Sequence, residues 1–241
     1  MRLSVRISNW IRAQVKGARA KGIILGLSGG IDSAVVAVLA KRAVGGNALG
    51  VIMPCHSASD DEADARLVAR RFGISTRKID LSRAFDALAS TLSRNAGRAV
   101  ADSAARLAMA NLKPRLRMIV LYYLANRMNY LVAGTGNRAE ISVGYFTKYG
   151  DGAVDILPIG SLLKREVRAL AVELGIPEKI ITKPPSAGLW PGQTDEGEME
   201  ILYDELDSIL AGEGGDKASV RKVRSMAARS EHKRRMPAVF R

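Results

Sequence analysis

The chain has 241 residues, is 47% hydrophobic and carries a formal net charge of +13, enough for one large α/β domain or two small ones with a substantial core. No apolar run approaches the roughly 20 residues of a membrane span, and the opening Met1-Arg2-Leu3-Ser4-Val5-Arg6 is too polar for a secretory leader. The single Cys55 excludes an internal disulfide and a cysteine-built zinc site, so a cytoplasmic location is expected.

In chain order, a helical pattern over residues 3–20 precedes a short apolar run at 23–27 that reads as a buried strand. A helix is expected over 32–44, a strand at 49–53, a helix over 60–72 and a strand at 76–79. Further on come a helix over 115–128, a strand at 130–133, a fifth candidate strand at 154–157, and helices over 164–174, 198–210 and 218–229. Strands alternating with helices predict a doubly wound, mostly parallel five-stranded sheet with helices on both faces. Ligands of such sheets lie at the carboxyl ends of the strands.

The segment between the first strand and its helix reads Gly26-Leu27-Ser28-Gly29-Gly30-Ile31-Asp32-Ser33. A glycine-rich turn feeding a helix N-terminus cradles phosphate, because unpaired amides and the helix dipole both favour negative charge there. Asp32 would repel those phosphates unless a divalent cation lay between them. No lysine follows Gly29-Gly30, so this is not a Walker A loop, and the glycine spacing is not that of a dinucleotide turn. It resembles the Ser-Gly-Gly-x-Asp-Ser loop of the ATP pyrophosphatase (PP-loop) enzymes. The plain alternative is an ordinary tight turn between strand and helix.

Gly134-Thr135-Gly136-Asn137-Arg138-Ala139-Glu140 follows the strand at 130–133. Thr135 would face the nucleotide site from a strand end. Glu140 is either a second carboxylate for magnesium or a surface residue in the first turn of a capped helix. Two long loops are expected, at 144–155 and 183–194, of the kind that often serve as lids or binding segments. Tyr145 and Trp190 within them either fill the core or meet a ligand. Pro54-Cys55-His56 lies at the end of the second strand. Neighbours on an extended segment point to opposite faces, so Cys55 and His56 are poorly placed as a nucleophile and its base.

Beyond the PP-loop and the Gly-Thr-x-x-x-Ala-Glu string, the chain carries Phe-Thr-Lys-Tyr-Gly-Asp-Gly at 146–152, Lys-Pro-Pro-Ser-Ala-Gly-Leu-Trp-Pro-Gly-Gln-Thr-Asp-Glu at 183–196 and Glu-His-Lys-Arg at 231–234. In this order the motifs resemble those of the ammonia-dependent NAD synthetases, over residues 23–235.

The resemblance implies amidation of deamido-NAD to NAD through an adenylated intermediate, with release of pyrophosphate and AMP and with ammonia as nitrogen donor. It implies that Gly26, Leu27, Ser28, Gly29, Gly30, Ile31, Asp32, Ser33, Thr135, Lys164 and Ser186 contact the co-substrate ATP, with Asp32 and Lys164 catalytic. Asp32 and Glu140 would hold Mg2+. Arg115, Lys148, Asp155, His232 and Lys233 would hold deamido-NAD. Arg115 has Arg117 beside it on one helix, and one of the two is expected at the surface. Lys164, Lys148, Asp155 and Ser186 have ordinary alternatives as solvated, paired or turn-forming residues.

From Lys217 to Arg241 nine Lys and Arg residues stand against the single acid Glu231, giving +8 of the total charge. Such a segment can bind nucleic acid, present a solvated helix face, or clamp an anionic small molecule. The resemblance makes residues 217–241 a substrate clamp, since both nucleotides are polyanions. A PP-loop enzyme that adenylates a tRNA base is the competing reading. Absent Cys-x-x-Cys pairs and aromatic-interleaved basic surface count against it, so no nucleic acid or membrane partner is expected.

One cysteine and a first strand near residue 23 leave no room for a glutaminase domain, so 1–241 is expected to be a single synthetase domain. The helix over 115–128, with Ile119, Val120, Tyr122, Tyr123 and Leu124, has more apolar surface than one face needs. That excess either joins the core or forms an interface, and the resemblance implies a homodimer.

Overall fold

In the computed structural model, which describes residues 1–57, 59–95, 103–190 and 192–240, α1 (Leu3–Gly17) leads into β1 (Gly22–Gly26), α2 (Ile31–Val44), β2 (Ala48–Ile52), α3 (Ser59–Phe72) and β3 (Ser75–Lys78). Then come α4 (Ser82–Asn95), α5 (Ser103–Ala110), α6 (Leu112–Met128), β4 (Tyr130–Val132) and α7 (Arg138–Val143). The remainder is helical: α8 (Lys164–Leu174), α9 (Glu178–Ile181), α10 (Asp195–Met199), α11 (Tyr203–Ala211), α12 (Lys217–Arg229) and α13 (Glu231–Arg234).

The four strands pair in parallel in the order β3-β2-β1-β4. Side chains of β1 alternate between two cores, as the two-residue period of a strand requires. Ile23, Leu25 and Leu27 face α1, α2, α3 and α8, whereas Ile24 faces α6 together with Val51 and Val132. A third cluster joins α7, α10, α11 and α12 around Val143, Met199, Tyr203 and Val223. The edge strand β3, Ser75-Thr76-Arg77-Lys78, is exposed throughout, and its polar side chains suit an unpaired edge.

The expected fifth strand is reduced to one parallel bridge between Ala133 and Ile156. The cause is Asp155. Its Oδ2 accepts the Val132 N–H at 2.8 Å, the donor a fifth strand would have paired through its backbone. Pro158, which has no N–H, follows soon after.

The helix expected over 198–210 is broken into α10 and α11, with Glu200 left-handed at φ 51° between them. The first helix ends at Gly17 rather than at residue 20. Helices α4, α5, α9 and α13 were not expected from the sequence.

The strand order changes direction at β1. The chain steps outward through β2 and β3, then returns to the other side of β1 as β4. The turn after β1 therefore opens into the crevice where α/β sheets bind ligands.

Candidate active site

A cleft of about 550 Å³ lies over the carboxyl ends of β1, β2 and β4. Of the residues the sequence singles out, it gathers Gly26, Leu27, Ser28, Gly30, Ile31, Asp32, Ser33, Thr135, Glu140, Lys164, Ser186 and Lys233.

The turn after β1 is held by its own hydroxyls. Ser33 Oγ donates to Gly30 O at 2.9 Å and accepts the Ser28 N–H at 3.2 Å, and Ser28 Oγ accepts the Gly30 N–H at 3.3 Å. Gly29 does not line the cleft. At φ 86°, a Cβ there would stand 2.4 Å from Asp61 O, so glycine is what allows α3 to pack beneath the turn.

At the first turn of α2, Asp32 meets the first residue of α8. Lys164 Nζ lies 2.5 Å from Asp32 Oδ2 and 3.8 Å from Glu140 Oε1, and only 1% of its side chain is exposed. Asn137 Nδ2 donates to Asp32 Oδ1 at 3.1 Å.

Asn137 and Glu140 also form a reciprocal capping box at the start of α7, each side chain accepting the other's backbone N–H at 3.1 Å. Glu140 thus caps the helix and, rather than standing at the surface, lines the cleft. Burial, then the charge of Asp32, push its carboxyl up to about 8 against the pull of Lys164. Burial opposes the charge on Lys164, but Asp32 and Glu140 outweigh it and hold the ammonium above its usual range.

Tyr203, fully buried, closes this group from below. Its hydroxyl lies 3.3 Å from Glu140 Oε1 and 3.1 Å from Asp195 Oδ2, and its ring faces the Lys164 ammonium at 4.8 Å. Tyr145 hydroxyl reaches Asp195 Oδ1 at 3.1 Å and Glu198 Oε2 at 2.8 Å, and Gln193 Nε2 donates to Glu198 at 2.6 Å. Apart from Glu140 and Tyr145, this network carries no sign of the site in the sequence, although Gln193 and Asp195 stand in the long loop motif. The Asn137-x-x-Glu140 spacing was its one local sign.

Among the described residues no group of three or more His, Cys, Asp and Glu side chains is arranged to hold a metal by itself. Asp32 and Glu140 form a pair of hard oxygen ligands sharing one ammonium. Such a set suits Mg2+ carried largely by substrate phosphates better than a cation bound by protein alone.

The other long loop residues divide. Lys183, Pro184, Pro185, Ser186, Ala187, Gly188 and Leu189 line the cleft. Lys183 Nζ is anchored at 2.8 Å to Asp61 and 2.7 Å to Asp64, and Lys113 Nζ donates to Leu189 O at 2.7 Å. Trp190 is partly buried, with the Arg106 guanidinium 5.2 Å above its ring.

The five residues expected to hold deamido-NAD are not brought together. Only Lys233 lines the cleft, its ammonium donating to Gly144 O at 2.7 Å and Phe146 O at 2.8 Å. Arg115 donates to Lys148 O at 3.3 Å, which joins those two on the flank of α6. Both Asp155 oxygens are engaged, by Tyr122 hydroxyl at 3.0 Å and by Val132 N. His232 is exposed. Of the arginine pair, Arg117 is the one that lines the cleft.

Cys55 is fully buried, and burial pushes its thiol up. His56 turns to Asp86, with Nε2 and Oδ1 2.7 Å apart. The two do not form a nucleophile and base.

The NAD synthase family model matches residues 3–237. The chain belongs to the NAD synthase family. An NH(3)-dependent NAD(+) synthetase of Carboxydothermus hydrogenoformans is 51% identical over 97% of this chain and 95% of its own. The solved NMN synthetase of Francisella tularensis superposes with a TM-score of 0.90 at 38% identity, over 99% of this chain and 97% of its own. The NH3-dependent NAD synthetase of Campylobacter jejuni, solved with a nitrate ion, gives 0.80 at 27% identity over 99% and 98%. The parallel sheet covered by helices on both faces matches these solved structures. No described helix is long and apolar enough to cross a membrane.

Proposed function

We propose that this chain is a ligase that converts deamido-NAD to NAD with ammonia, driven by cleavage of ATP to AMP and pyrophosphate. The observation that carries the reading is the meeting of Asp32, Glu140 and Lys164 beside the phosphate-cradling turn, in a member of the NAD synthase family.

The chemistry explains why these groups are needed. A carboxylate is a poor electrophile, because oxide cannot leave at neutral pH. Attack of the nicotinate carboxylate on the α-phosphorus of ATP forms a new P–O bond and expels pyrophosphate. Ammonia then adds to the activated carbonyl, AMP leaves with the C–O bond electrons, and the ammonia nitrogen loses its proton. Charge accumulates on the pyrophosphate and then on AMP, where amides of the turn after β1 and the Lys164 ammonium would stabilise it.

In this reading residues 26–33, Thr135, Lys164 and Ser186 hold ATP. Asp32 and Glu140 would hold Mg2+, which supplies positive charge to the phosphates. Deamido-NAD is held by Lys233 within the cleft and, outside the cleft lining, by Arg115, Lys148, Asp155 and His232. Residues 217–241 act as a clamp: α13 and Lys233 already rest on the 144–151 loop. Exposed Ile119 and Tyr123 on α6 support a homodimer interface, which sedimentation of the purified chain tests. The enzyme works in the cytoplasm. Family membership removes the ground for the tRNA-modifying alternative.

A second reading, amidation of a nicotinate mononucleotide, draws on the Francisella tularensis neighbour, named for NMN synthesis. With ATP, Mg2+ and ammonium supplied, deamido-NAD is expected to be amidated in preference to nicotinate mononucleotide. Faster turnover of the mononucleotide would favour the second reading.

A further inference from the structure

Among the described residues four cationic side chains line the cleft: Arg117, Lys164, Lys183 and Lys233. Three are tied down by short contacts. Lys164 is 2.5 Å from Asp32, Lys183 is 2.8 and 2.7 Å from Asp61 and Asp64, and Lys233 donates to two carbonyls at 2.7 and 2.8 Å. Arg117 differs. Nε reaches Met53 O at 3.3 Å and Nη2 reaches Ser57 Oγ at 3.4 Å, both at the long limit of a hydrogen bond. Among the described residues Nη1 has no partner, and no carboxylate lies within ion-pair reach of the guanidinium. Burial pulls its pKa below the usual guanidinium range.

A guanidinium taken partly out of water without a counter-ion is costly, and an arriving anion offsets that cost. Its flat fork of donors matches a phosphoryl group in a two-bond contact that lysine cannot copy. Arg117 is met only by Met53 O, just past the end of β2, and by Ser57 Oγ in the following loop, at distances that leave its donors open to a ligand.

We propose that Arg117 is a substrate-binding residue of the cleft, taking a phosphoryl group of a nucleotide through its guanidinium fork. This deepens the synthetase reading and rests on it for the identity of the nucleotides. The phosphoryl group belongs either to ATP or to deamido-NAD.

The test is calorimetric titration of the full chain with ATP and, separately, with deamido-NAD, comparing the native protein with Arg117→Met and Arg117→Lys. Thermal midpoints establish that each variant is folded. Arg117→Met is expected to weaken binding of one nucleotide at least tenfold, and Arg117→Lys to recover only part of it. Loss confined to ATP assigns the contact to ATP, and loss confined to deamido-NAD assigns it to the acceptor. A folded variant of either kind that binds both nucleotides within twofold of the native protein overturns the proposal. Because binding is read without turnover, native protein that binds ATP yet forms no NAD would count against the synthetase reading while leaving Arg117 testable.

Discussion

Lys164 and Asp32, 132 positions apart in the chain, are joined by an ion pair of 2.5 Å between the first turns of two helices. The pair links the glycine-rich turn after β1 to α8 and so joins two sides of the cleft. Breaking it removes the cation that separates Asp32 from Glu140. Lys164→Ala is expected to lower the rate of NAD formation by about 10²–10³-fold, the scale for loss of one charge-stabilising donor. Steady-state rates at saturating ATP check this, with Asp32→Ala expected to be at least as damaging.

Tyr203 hydroxyl carries one proton and stands between two carboxylates, Glu140 and Asp195. Tyr203→Phe keeps the ring over Lys164 and the packing of the third core cluster, but takes away the one donor that the two carboxylates share. A stability loss of about 1–3 kcal/mol is expected in urea unfolding. The Mg2+ concentration for half-maximal activity should rise by about 10–100-fold, as when a group orienting a metal-binding carboxylate is removed.

Gly144 has φ 71°, and a Cβ there would lie 2.1 Å from Ser230 Cβ. The close approach lets the end of α12 and Lys233 settle on the 144–151 loop. Gly144→Ala adds about 1–2 kcal/mol of backbone strain and a direct clash. The tail is expected to lift away, shown by faster tryptic cleavage within residues 229–235 and a raised KM for deamido-NAD. Unchanged cleavage would separate the tail from this contact.

Asp216 caps α12, its Oδ1 accepting the N–H groups of Ala218 and Ser219 at 2.7 and 3.1 Å. Hydrogen bonding from Ser219, side chain first and then backbone, holds its carboxyl well below the usual aspartate range. A carboxyl depressed on folding stabilises the folded state above its unfolded pKa, and that contribution fades as pH falls through the folded value. The native protein should therefore exceed Asp216→Asn in stability at neutral pH, and the gap should close only below pH 3.8. Urea midpoints of both proteins from neutral pH downward measure it.

What was legible in the chain follows the range of each interaction. The glycine-rich turn and its helix could be read because the fold writes them contiguously, as strand, turn and helix. Three of the four strands begin within a residue of expectation, and β4 begins as expected, because β1 and β2 are buried apolar runs. The fifth strand looked equally good at 154–157, but Asp155 spends its side chain on Val132 N, a contact no local pattern reveals. The helix over 198–210 failed for a similar reason: Glu200 adopts a conformation uncommon outside glycine, asparagine and aspartate.

Within the site, Asp32, Glu140 and Lys164 were legible as chemistry, and their meeting agrees with it. Tyr203, Asp195 and Lys183 were not singled out. A buried phenol between two carboxylates arises only when α7, α10 and α11 pack together. Arg115 and Arg117 are indistinguishable by spacing alone, and only the packing of α6 against β1 and β4 turns Arg117 into the cleft.

The central claim is tested most directly by mixing the purified chain with ATP, Mg2+ and deamido-NAD, with and without ammonium, and following pyrophosphate and NAD together. NAD appearing only with ammonium, with one pyrophosphate released for each NAD formed, is the expected result. No pyrophosphate release and no NAD in the presence of every substrate would contradict it.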